Sequence, residues 1–192
     1  MKRVYNFNAG PSPMPLEVLE AMKNDLTDFK GTGMGITEIS HRSKEFQDML
    51  DETKALLREL MHLDDDYEIV FIQGGGTMQF LMTAYNFLHT RAAYADTGVW
   101  AHKARNSAAF FGEAYDANSA ADRNYSYIPD TYEVKPGTDY LYLCANNTIY
   151  GTEYWKFPKV NVPLICDMSS DILSRDIDFG QFDMIWAGIQ KN

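Results

Sequence analysis

The sequence predicts an α/β fold in which a mostly parallel β-sheet is covered by helices on both faces. Short runs that are apolar on both sides, such as "DYLYLC" and "VPLICD", alternate with segments of helical apolar spacing. The chain has 192 residues, of which 45% are hydrophobic and 14% aromatic, enough for a substantial core. These observations favour one α/β layer domain without internal repeats, low-complexity tracts or linkers.

The first third of the chain is predicted to be an extended arm followed by two helices. Residues 1–15 contain several prolines and no periodicity, which indicates an arm. Apolar residues then recur every three or four positions from Leu16 to about Phe29, which predicts a helix. The glycine-rich stretch "KGTGMGITEISHRS" indicates an exposed loop. Ser43 is the predicted cap of a second helix that runs to about Leu63.

Beyond that point strand and helix patterns alternate. Strands are predicted at "YEIVFIQ", "RAAYAD", "DYLYLC", "VPLICD" and "DMIWAG", with helices at "TMQFLMTAYNFL" and "WAHKARNSAAFFG".

The composition excludes several function classes. A formal net charge of −10 argues against nucleic acid or an anionic membrane as the main partner. No window approaches the roughly 18 consecutive apolar residues of a membrane helix, and the N-terminus lacks the apolar stretch of a secretory signal. Cys144 and Cys166 lie in apolar runs, which predicts reduced core residues of a cytoplasmic protein. The four histidines are scattered, so no metal site is expected.

Three glycines in "FIQGGGTMQF" precede a predicted helix. Glycines allow a ligand close to the backbone, and the free N–H groups of a helix N-terminus attract phosphate. Gly76 and Thr77 are therefore candidate phosphate contacts. The motif is neither a P-loop nor G-x-G-x-x-G, and a flexible turn with a helix cap would explain it equally well.

Two strand ends carry residues of chemical interest. Asp167 directly follows "VPLIC", where parallel α/β sheets bind ligands, and its carboxylate could hold a cation or a protonated ring nitrogen. It could equally cap the following segment. Lys191 follows the strand "DMIWAG" and could act as a Schiff-base nucleophile, although most such lysines are solvated surface residues.

Other residues extend this pattern. Trp100 follows a strand and could stack on a flat cofactor, or could belong to the core. Arg42, beside His41 in "SHRS", is suited to carboxylate recognition, or is merely solvated. A phosphate cradle, a stacking aromatic residue, an acid for a ring nitrogen and a nucleophilic lysine are together what a pyridoxal-phosphate enzyme needs from its protein.

The chain resembles the phosphoserine aminotransferases, which are fold-type I, class V pyridoxal-phosphate enzymes. The resemblance is carried by "NFNAGPSPMP", "GMGITEISHRS", "QGGGTMQF", "DTGVW", "NNTIYGTEYWKFP" and "DMSSDILSRDIDFGQFDMIWAGIQKN", and it covers essentially all residues in order. It implies a three-layer large domain with a mostly parallel sheet. Residues 1–192 would be the N-terminal arm and part of the pyridoxal-phosphate-binding domain, incomplete at the C-terminus and without the small C-terminal domain.

The resemblance also implies residue roles. Lys191 would bind the cofactor aldehyde and move the catalytic proton, and Asp167 would pair with the ring nitrogen. Trp100 would stack on the ring, while Gly76, Thr77 and Gln190 would contact or lie near the phosphate. Thr148 would lie against the ring and its 3′ oxygen. Arg42 and His41 would bind the anionic end of the substrate across a dimer interface. Some family members carry arginine at the position of Thr77.

The implied reaction exchanges an amino group between L-glutamate and 3-phosphohydroxypyruvate, giving O-phospho-L-serine and 2-oxoglutarate for serine biosynthesis, with a second use in pyridoxine biosynthesis left open. The protein would be a cytoplasmic homodimer that is inactive without its C-terminal half or a complementary chain. Alternatives are another class V enzyme resembling alanine–glyoxylate aminotransferase, a non-catalytic fragment that needs a partner chain, and a nucleotide-binding domain built on "QGGGT".

Overall fold

The computed structural model describes residues 3–191, and the chain divides into two compact units between Ile69 and Val70. The first unit contains two α-helices, α1 at Leu16–Asp25 and α2 at Lys44–Met61. Short 3₁₀ turns at Phe29–Gly31 and Ile36–Glu38 lie between them.

Helix α2 begins where the sequence predicts. The Ser43 hydroxyl accepts a hydrogen bond from the Phe46 N–H at 3.3 Å, which satisfies one of the free donors of the first turn. The helix ends at His62, whose φ of 52° places it in the left-handed region. The predicted cap is therefore confirmed.

Helix α1 is shorter than predicted and leaves its apolar stripe uncovered. It ends at Asp25 rather than near Phe29, and none of its residues is buried. Leu16, Leu19 and Met22 remain between 38% and 48% exposed. The periodicity identifies the helix, but it cannot say whether anything covers the apolar face.

The second unit is built around a parallel sheet. Its elements are α3 (Gly75–Phe87), β1 (Arg91–Asp96), α4 (Val99–Ala108), β2 (Glu113–Ser119), β3 (Tyr140–Cys144), β4 (Asn146–Asn147), β5 (Thr152–Glu153), β6 (Leu164–Asp167) and β7 (Met184–Trp186), with 3₁₀ turns at Ala121–Arg123 and Phe179–Gln181. Five strands form a sheet in the order β2-β1-β3-β6-β7, and every neighbouring pair is parallel. Strands β4 and β5 form a separate antiparallel hairpin. The predicted fold class is confirmed.

The core of this unit lies between the sheet and helices α3 and α4. Every residue of β3 is buried, as expected for a central strand covered on both faces. The helices contribute small residues, including Ala84, Ala104 and Ala108, to the same cluster as Tyr94 and Tyr142. Small residues on the helices allow close packing against the large tyrosine rings of the strands.

One predicted strand is absent, and one observed strand was not predicted. "YEIVFIQ", at residues 67–73, forms no strand, because a strand must pair with a neighbouring strand and neither sheet of the described residues includes this segment. Val70, Phe71 and Ile72 are instead 51–66% exposed. Strand β2, "EAYDANS", was missed because its acidic and asparagine residues are uncommon in strands. It lies at one edge of the sheet and pairs only with β1.

Within residues 3–191 no helix has the length and apolarity needed to cross a membrane. The same residues contain no group of three or more His, Cys, Asp or Glu side chains placed to bind a metal ion. Cys144 and Cys166 are buried and not joined in a disulfide, in agreement with their prediction as reduced core residues.

Candidate active site

The candidate site lies at the carboxyl edge of the parallel sheet. Three neighbouring strands end in one row there, because Cys144 of β3 is in register with Asp167 of β6, which is in register with Trp186 of β7. Parallel sheets bind ligands beyond this edge. The register therefore places the Asp167 carboxylate at the position from which a strand-end residue can reach a bound molecule.

One open cavity of about 150 Å³ occupies this edge. Its lining includes all seven residues that the sequence suggested for cofactor binding: Gly76, Thr77, Trp100, Thr148, Asp167, Gln190 and Lys191. They come from positions spread over more than a hundred residues of the second unit. The fold thus collects into one pocket the residues that had separate and individually weak sequence signals.

The two substrate-binding candidates lie elsewhere in the chain. His41 and Arg42 belong to the first unit, in the exposed turn before α2. The Ser40 hydroxyl accepts a hydrogen bond from the Arg42 backbone N–H at 3.2 Å, which shapes this turn. Both side chains face solvent within that unit.

The glycine motif forms the first turn of α3. Gly74 and Gly75 have φ values of 105° and 60°, which glycine adopts without a steric penalty. The helix begins at Gly75, two residues earlier than predicted, so the N–H groups of Gly75, Gly76 and Thr77 lie in its first turn. These groups lack partners within the helix and carry its positive dipole end, and no acidic residue occupies the turn. This end of α3 is therefore suited to an anion.

Gly76 also shapes the pocket. A Cβ at this position would lie 3.2 Å from Cζ3 of the Trp186 indole and 3.8 Å from the Ser169 hydroxyl. Its lack of a side chain lets the helix N-terminus approach the ends of the strands, where the row of Cys144, Asp167 and Trp186 is found.

Asp167 is a buried carboxylate with few partners. Its Oδ1 accepts a hydrogen bond from the Ser169 N–H at 2.9 Å, and its Oδ2 lies 3.9 Å from the Cys144 thiol. Burial raises the pKa of the Asp167 carboxyl above its ordinary value, while the Ser169 hydrogen bonds and the charge of Lys191 act in the opposite direction. A cation or a protonated nitrogen beside Oδ2 would further stabilise the charged form.

The Cys144 thiol lies ready to donate to this carboxylate. Burial, and next the negative charge of Asp167, raise the pKa of Cys144 well above its ordinary value. The thiol therefore stays protonated at neutral pH, and it also lies 3.6 Å from the Asn146 carbonyl. It is a weak donor, and a stronger one could displace it from Oδ2.

Lys191 lines the same pocket, close enough for its charge to act on Asp167. The segment that delivers it is tied to the loop after β6, because the Gly188 N–H donates to the Ser169 hydroxyl at 2.9 Å. A Cβ at Gly188 would lie 3.0 Å from the Gln190 side-chain oxygen, so glycine leaves room for Gln190 there.

Sequence reasoning missed several lining residues. Cys144 and Trp186 were interpreted only as parts of strands, and Asn146 was not considered. Ser169 and Ser170 were considered only as caps, whereas Ser169 connects Asp167 to Gly188. A serine two residues beyond a strand-end aspartate is a usable signal, since short polar side chains commonly bond nearby backbone there.

The raised pKa of Asp167 predicts a pH effect on stability. The pKa of this carboxyl is higher in the folded chain than in the unfolded chain, so the folded chain binds more protons between the two pKa values. Its contribution to stability is therefore fully present below pH 3.8, the ordinary pKa, and is lost as the pH rises through the folded pKa. We expect Asp167→Asn to stabilise the cofactor-free chain at pH 7. It should also weaken the pH dependence of the free energy of unfolding above pH 3.8. Urea unfolding at several pH values measures both effects.

The matched control is Asp65→Asn, which makes the same change at an exposed position. It should leave the pH dependence of unfolding unchanged. An Asp167→Asn chain less stable than the parent at pH 7 would contradict the assignment of a desolvated carboxylate.

The groups at the carboxyl edge of the sheet are together suited to one kind of ligand. A helix N-terminus for an anion, a buried carboxylate, an amine and an indole surround one cavity, and this donor set fits pyridoxal phosphate. Fold and site together define a class of protein. The class V aminotransferase family matches residues 4–192, and the chain belongs to that family.

Particular relatives are phosphoserine aminotransferases. The protein of that name from Bacteroides thetaiotaomicron is 46% identical over 188 residues, covering 98% of this chain and 53% of its own length. The solved structure of phosphoserine aminotransferase from Bacillus circulans subsp. alkalophilus has a TM-score of 0.96 at 43% identity, and the match covers 99% of this chain and 54% of that one.

A further solved structure is described as pyridoxal-phosphate-bound phosphoserine aminotransferase from Trichomonas vaginalis. It has a TM-score of 0.92 at 36% identity, and the match covers 99% of this chain and 55% of that one. The chain therefore spans about half the length of the curated relatives it matches.

Proposed function

We propose that this chain is the cofactor-binding portion of a pyridoxal-phosphate-dependent phosphoserine aminotransferase. The reaction transfers an amino group between L-glutamate and 3-phosphohydroxypyruvate, giving O-phospho-L-serine and 2-oxoglutarate in cytoplasmic serine biosynthesis. The observation that carries the proposal is the convergence of Asp167, Lys191 and Trp100 with the N-terminus of α3 on one pocket.

Different residues of the pocket are proposed to bind different parts of the cofactor. Gly76 and Thr77, in the first turn of α3, bind its phosphate through backbone N–H groups and the Thr77 hydroxyl, with Gln190 nearby. Asp167 accepts a hydrogen bond from the ring nitrogen. This contact would add a charged hydrogen-bond partner to a carboxyl whose pKa is raised by burial.

Bound pyridoxal phosphate supplies an electron-accepting ring that stabilises negative charge at the substrate Cα. Asp167 keeps the ring nitrogen protonated, which strengthens that effect. The Lys191 amine would hold the cofactor aldehyde, and once the substrate amine has displaced it, the free amine would take the proton from the substrate Cα. Trp100 would stack on one face of the ring, and the Thr148 hydroxyl would lie near its 3′ oxygen.

Arg42 and His41 are proposed to bind the carboxylate or phosphate end of the substrate. Their exposure in the first unit leaves both side chains accessible to an anion. A guanidinium suits such groups because it binds them through two parallel hydrogen bonds. We propose that they serve the site of a neighbouring subunit in a homodimer.

Complete activity is proposed to need more than these 192 residues, because the chain spans about half the length of its relatives. We expect the chain alone to convert no 3-phosphohydroxypyruvate in the presence of glutamate. Adding a polypeptide that corresponds to the remaining half of a relative should restore conversion. Turnover by the chain alone would contradict this part of the proposal.

The proposed cofactor site is tested by chemical trapping. The chain is incubated with stoichiometric pyridoxal phosphate and reduced with borohydride, and peptide mass mapping locates the modified lysine. Modification should concentrate on Lys191. Pyridoxal without its phosphate is the control. It should label Lys191 far less, because it has no phosphate for the N-terminus of α3 to bind. Modification spread evenly over the exposed lysines would overturn the proposal.

A further inference from the structure

The position of the Trp100 indole depends on two segments that are distant in sequence. Trp100 lies in the first turn of α4, and its Nε1–H donates to the hydroxyl of Thr148, in the β4–β5 hairpin, at 3.3 Å. This bond is exposed, so water competes with it and it holds the indole weakly. The indole also packs against the core, and its ring centroid lies 4.9 Å from the Lys103 ammonium, but neither contact connects the helix to the hairpin.

Asn147 makes that connection from a buried position. It directly precedes Thr148 and is only 3% exposed. Its side-chain Nδ2 donates to the carbonyl of Thr97, in the turn that leads into α4, and to the Thr152 hydroxyl on the opposite strand of the hairpin at 3.4 Å. One amide group thus holds the turn before α4 and both strands of the hairpin together.

Gly98 completes the contact. It is the residue before α4, and a Cβ at this position would lie 2.7 Å from both Cγ and Oδ1 of Asn147. Real Cβ atoms do not approach other atoms so closely, so only glycine lets the backbone lie directly against the amide. All three nearest atoms to that hypothetical Cβ belong to Asn147, which makes this contact specific to one pair of residues.

We propose that Asn147 and Gly98 form a clamp that positions Trp100 for the cofactor ring. The clamp acts through the Thr97–Gly98 backbone, so it sets the indole before any ligand binds. This inference rests on the proposed function, in which Trp100 stacks on the ring. Asn147 and Gly98 are positioning residues, because they act on the cofactor only through Trp100.

The test observes the indole directly in the cofactor-free chain. The protein has three tryptophans, and the ¹⁵N–¹H resonance of the Trp100 Nε1–H is assigned by its absence in Trp100→Phe. In Asn147→Asp the side chain keeps its size but loses both donors. We expect the Trp100 resonance to move toward that of an indole in water, and the affinity for pyridoxal phosphate to fall about tenfold.

A second set of variants keeps the test decisive if Asn147→Asp folds poorly. Gly98→Ala should move the same resonance and lower the melting temperature, because its Cβ displaces the Asn147 amide. The added effect of Gly98→Ala should shrink in an Asn147→Ala background, where the clashing atoms are gone. Equal effects in both backgrounds would overturn the clamp.

Asn118→Ala is the matched control, since Asn118 also donates its amide to a backbone carbonyl, that of Thr131, at 2.9 Å. This variant removes a hydrogen bond of the same kind, but it should leave the Trp100 resonance in place. A Trp100 resonance that stays unmoved in both Asn147→Asp and Gly98→Ala overturns the inference. A resonance that moves without any change in cofactor affinity supports the clamp and instead contradicts the stacking role of Trp100.

Discussion

Lys191→Ala is expected to abolish the covalent capture of pyridoxal phosphate by this chain. The visible absorption of the bound cofactor should survive desalting in the parent protein and disappear in the variant. The reason is that Lys191 is the lysine that lines the pocket together with Asp167, and a covalent bond requires an amine at that place. An absorption spectrum after desalting, followed by borohydride mapping, measures the loss.

Two controls separate the covalent role of Lys191 from its charge. The positive charge of Lys191 lowers the pKa of Asp167, so its removal also perturbs the carboxylate. Lys191→Arg keeps a positive charge but cannot form the bond, and it should lose covalent capture as completely as alanine does. Lys159→Ala removes an exposed lysine of the same unit and should behave like the parent chain. Cofactor retained covalently by Lys191→Ala would refute the role.

The central strands were predictable because strands that are buried on both faces consist almost entirely of apolar residues. Strand β3 is flanked on both sides by other strands and covered on both faces, so every residue from Tyr140 to Cys144 is buried and the run is apolar throughout. The start of α2 was equally local, since a serine cap acts within four residues. Features that depend only on neighbours in sequence, or on full burial, can be read from one sequence.

Features that depend on a distant partner could not be predicted in this way. Residues 67–73 have the β-branched and apolar composition of a strand, but no strand of the described chain forms a ladder with them. Strand β2 has an unfavourable composition, yet it pairs along its whole length with β1. In both cases the availability of backbone hydrogen-bond partners outweighs the intrinsic preference of the residues.

The candidate site shows the same difference between local sequence signals and contacts that depend on the fold. Asp167 and Lys191 were predicted as candidates because a charged residue just beyond an apolar strand has a topological meaning in parallel sheets. Their convergence with Trp100 is a property of the fold, and no spacing in the sequence reveals it. Asn147 was missed because a buried amide that bonds a distant carbonyl looks like any loop asparagine until its partner is known.

The loop after β6 should be the part of this chain most sensitive to a single substitution. Asp171 is fully buried and accepts hydrogen bonds from Arg175 Nε at 3.2 Å and Nη2 at 2.9 Å, and from the Ser174 hydroxyl at 2.8 Å. Arg175 in turn donates to the Glu153 carboxylate at 3.1 Å and to the Tyr154 carbonyl at 2.6 Å. The pair thereby joins this loop to the end of the β4–β5 hairpin.

Asp171→Ala is expected to lower the free energy of unfolding by about 3 kcal/mol, because it removes two charged hydrogen bonds of the partly buried Arg175, which keeps Glu153 as a counter-charge. That is a large fraction of the stability of an ordinary domain. Urea denaturation with matched slopes measures the change. Glu20→Ala, which removes one partner of an exposed pair on α1, is the control and should change little.

The same substitution should also weaken cofactor binding, although Asp171 is not among the residues that line the pocket. The loop that it anchors carries Ser169, whose N–H bonds Asp167 and whose hydroxyl accepts from Gly188. Asp171→Asn keeps the size of the side chain and an acceptor for Ser174, so it should lose less of both properties. An Asp171→Ala chain with reduced stability but unchanged affinity for pyridoxal phosphate would show that Ser169 holds its place without this anchor, and that the pocket is set by the strand ends alone.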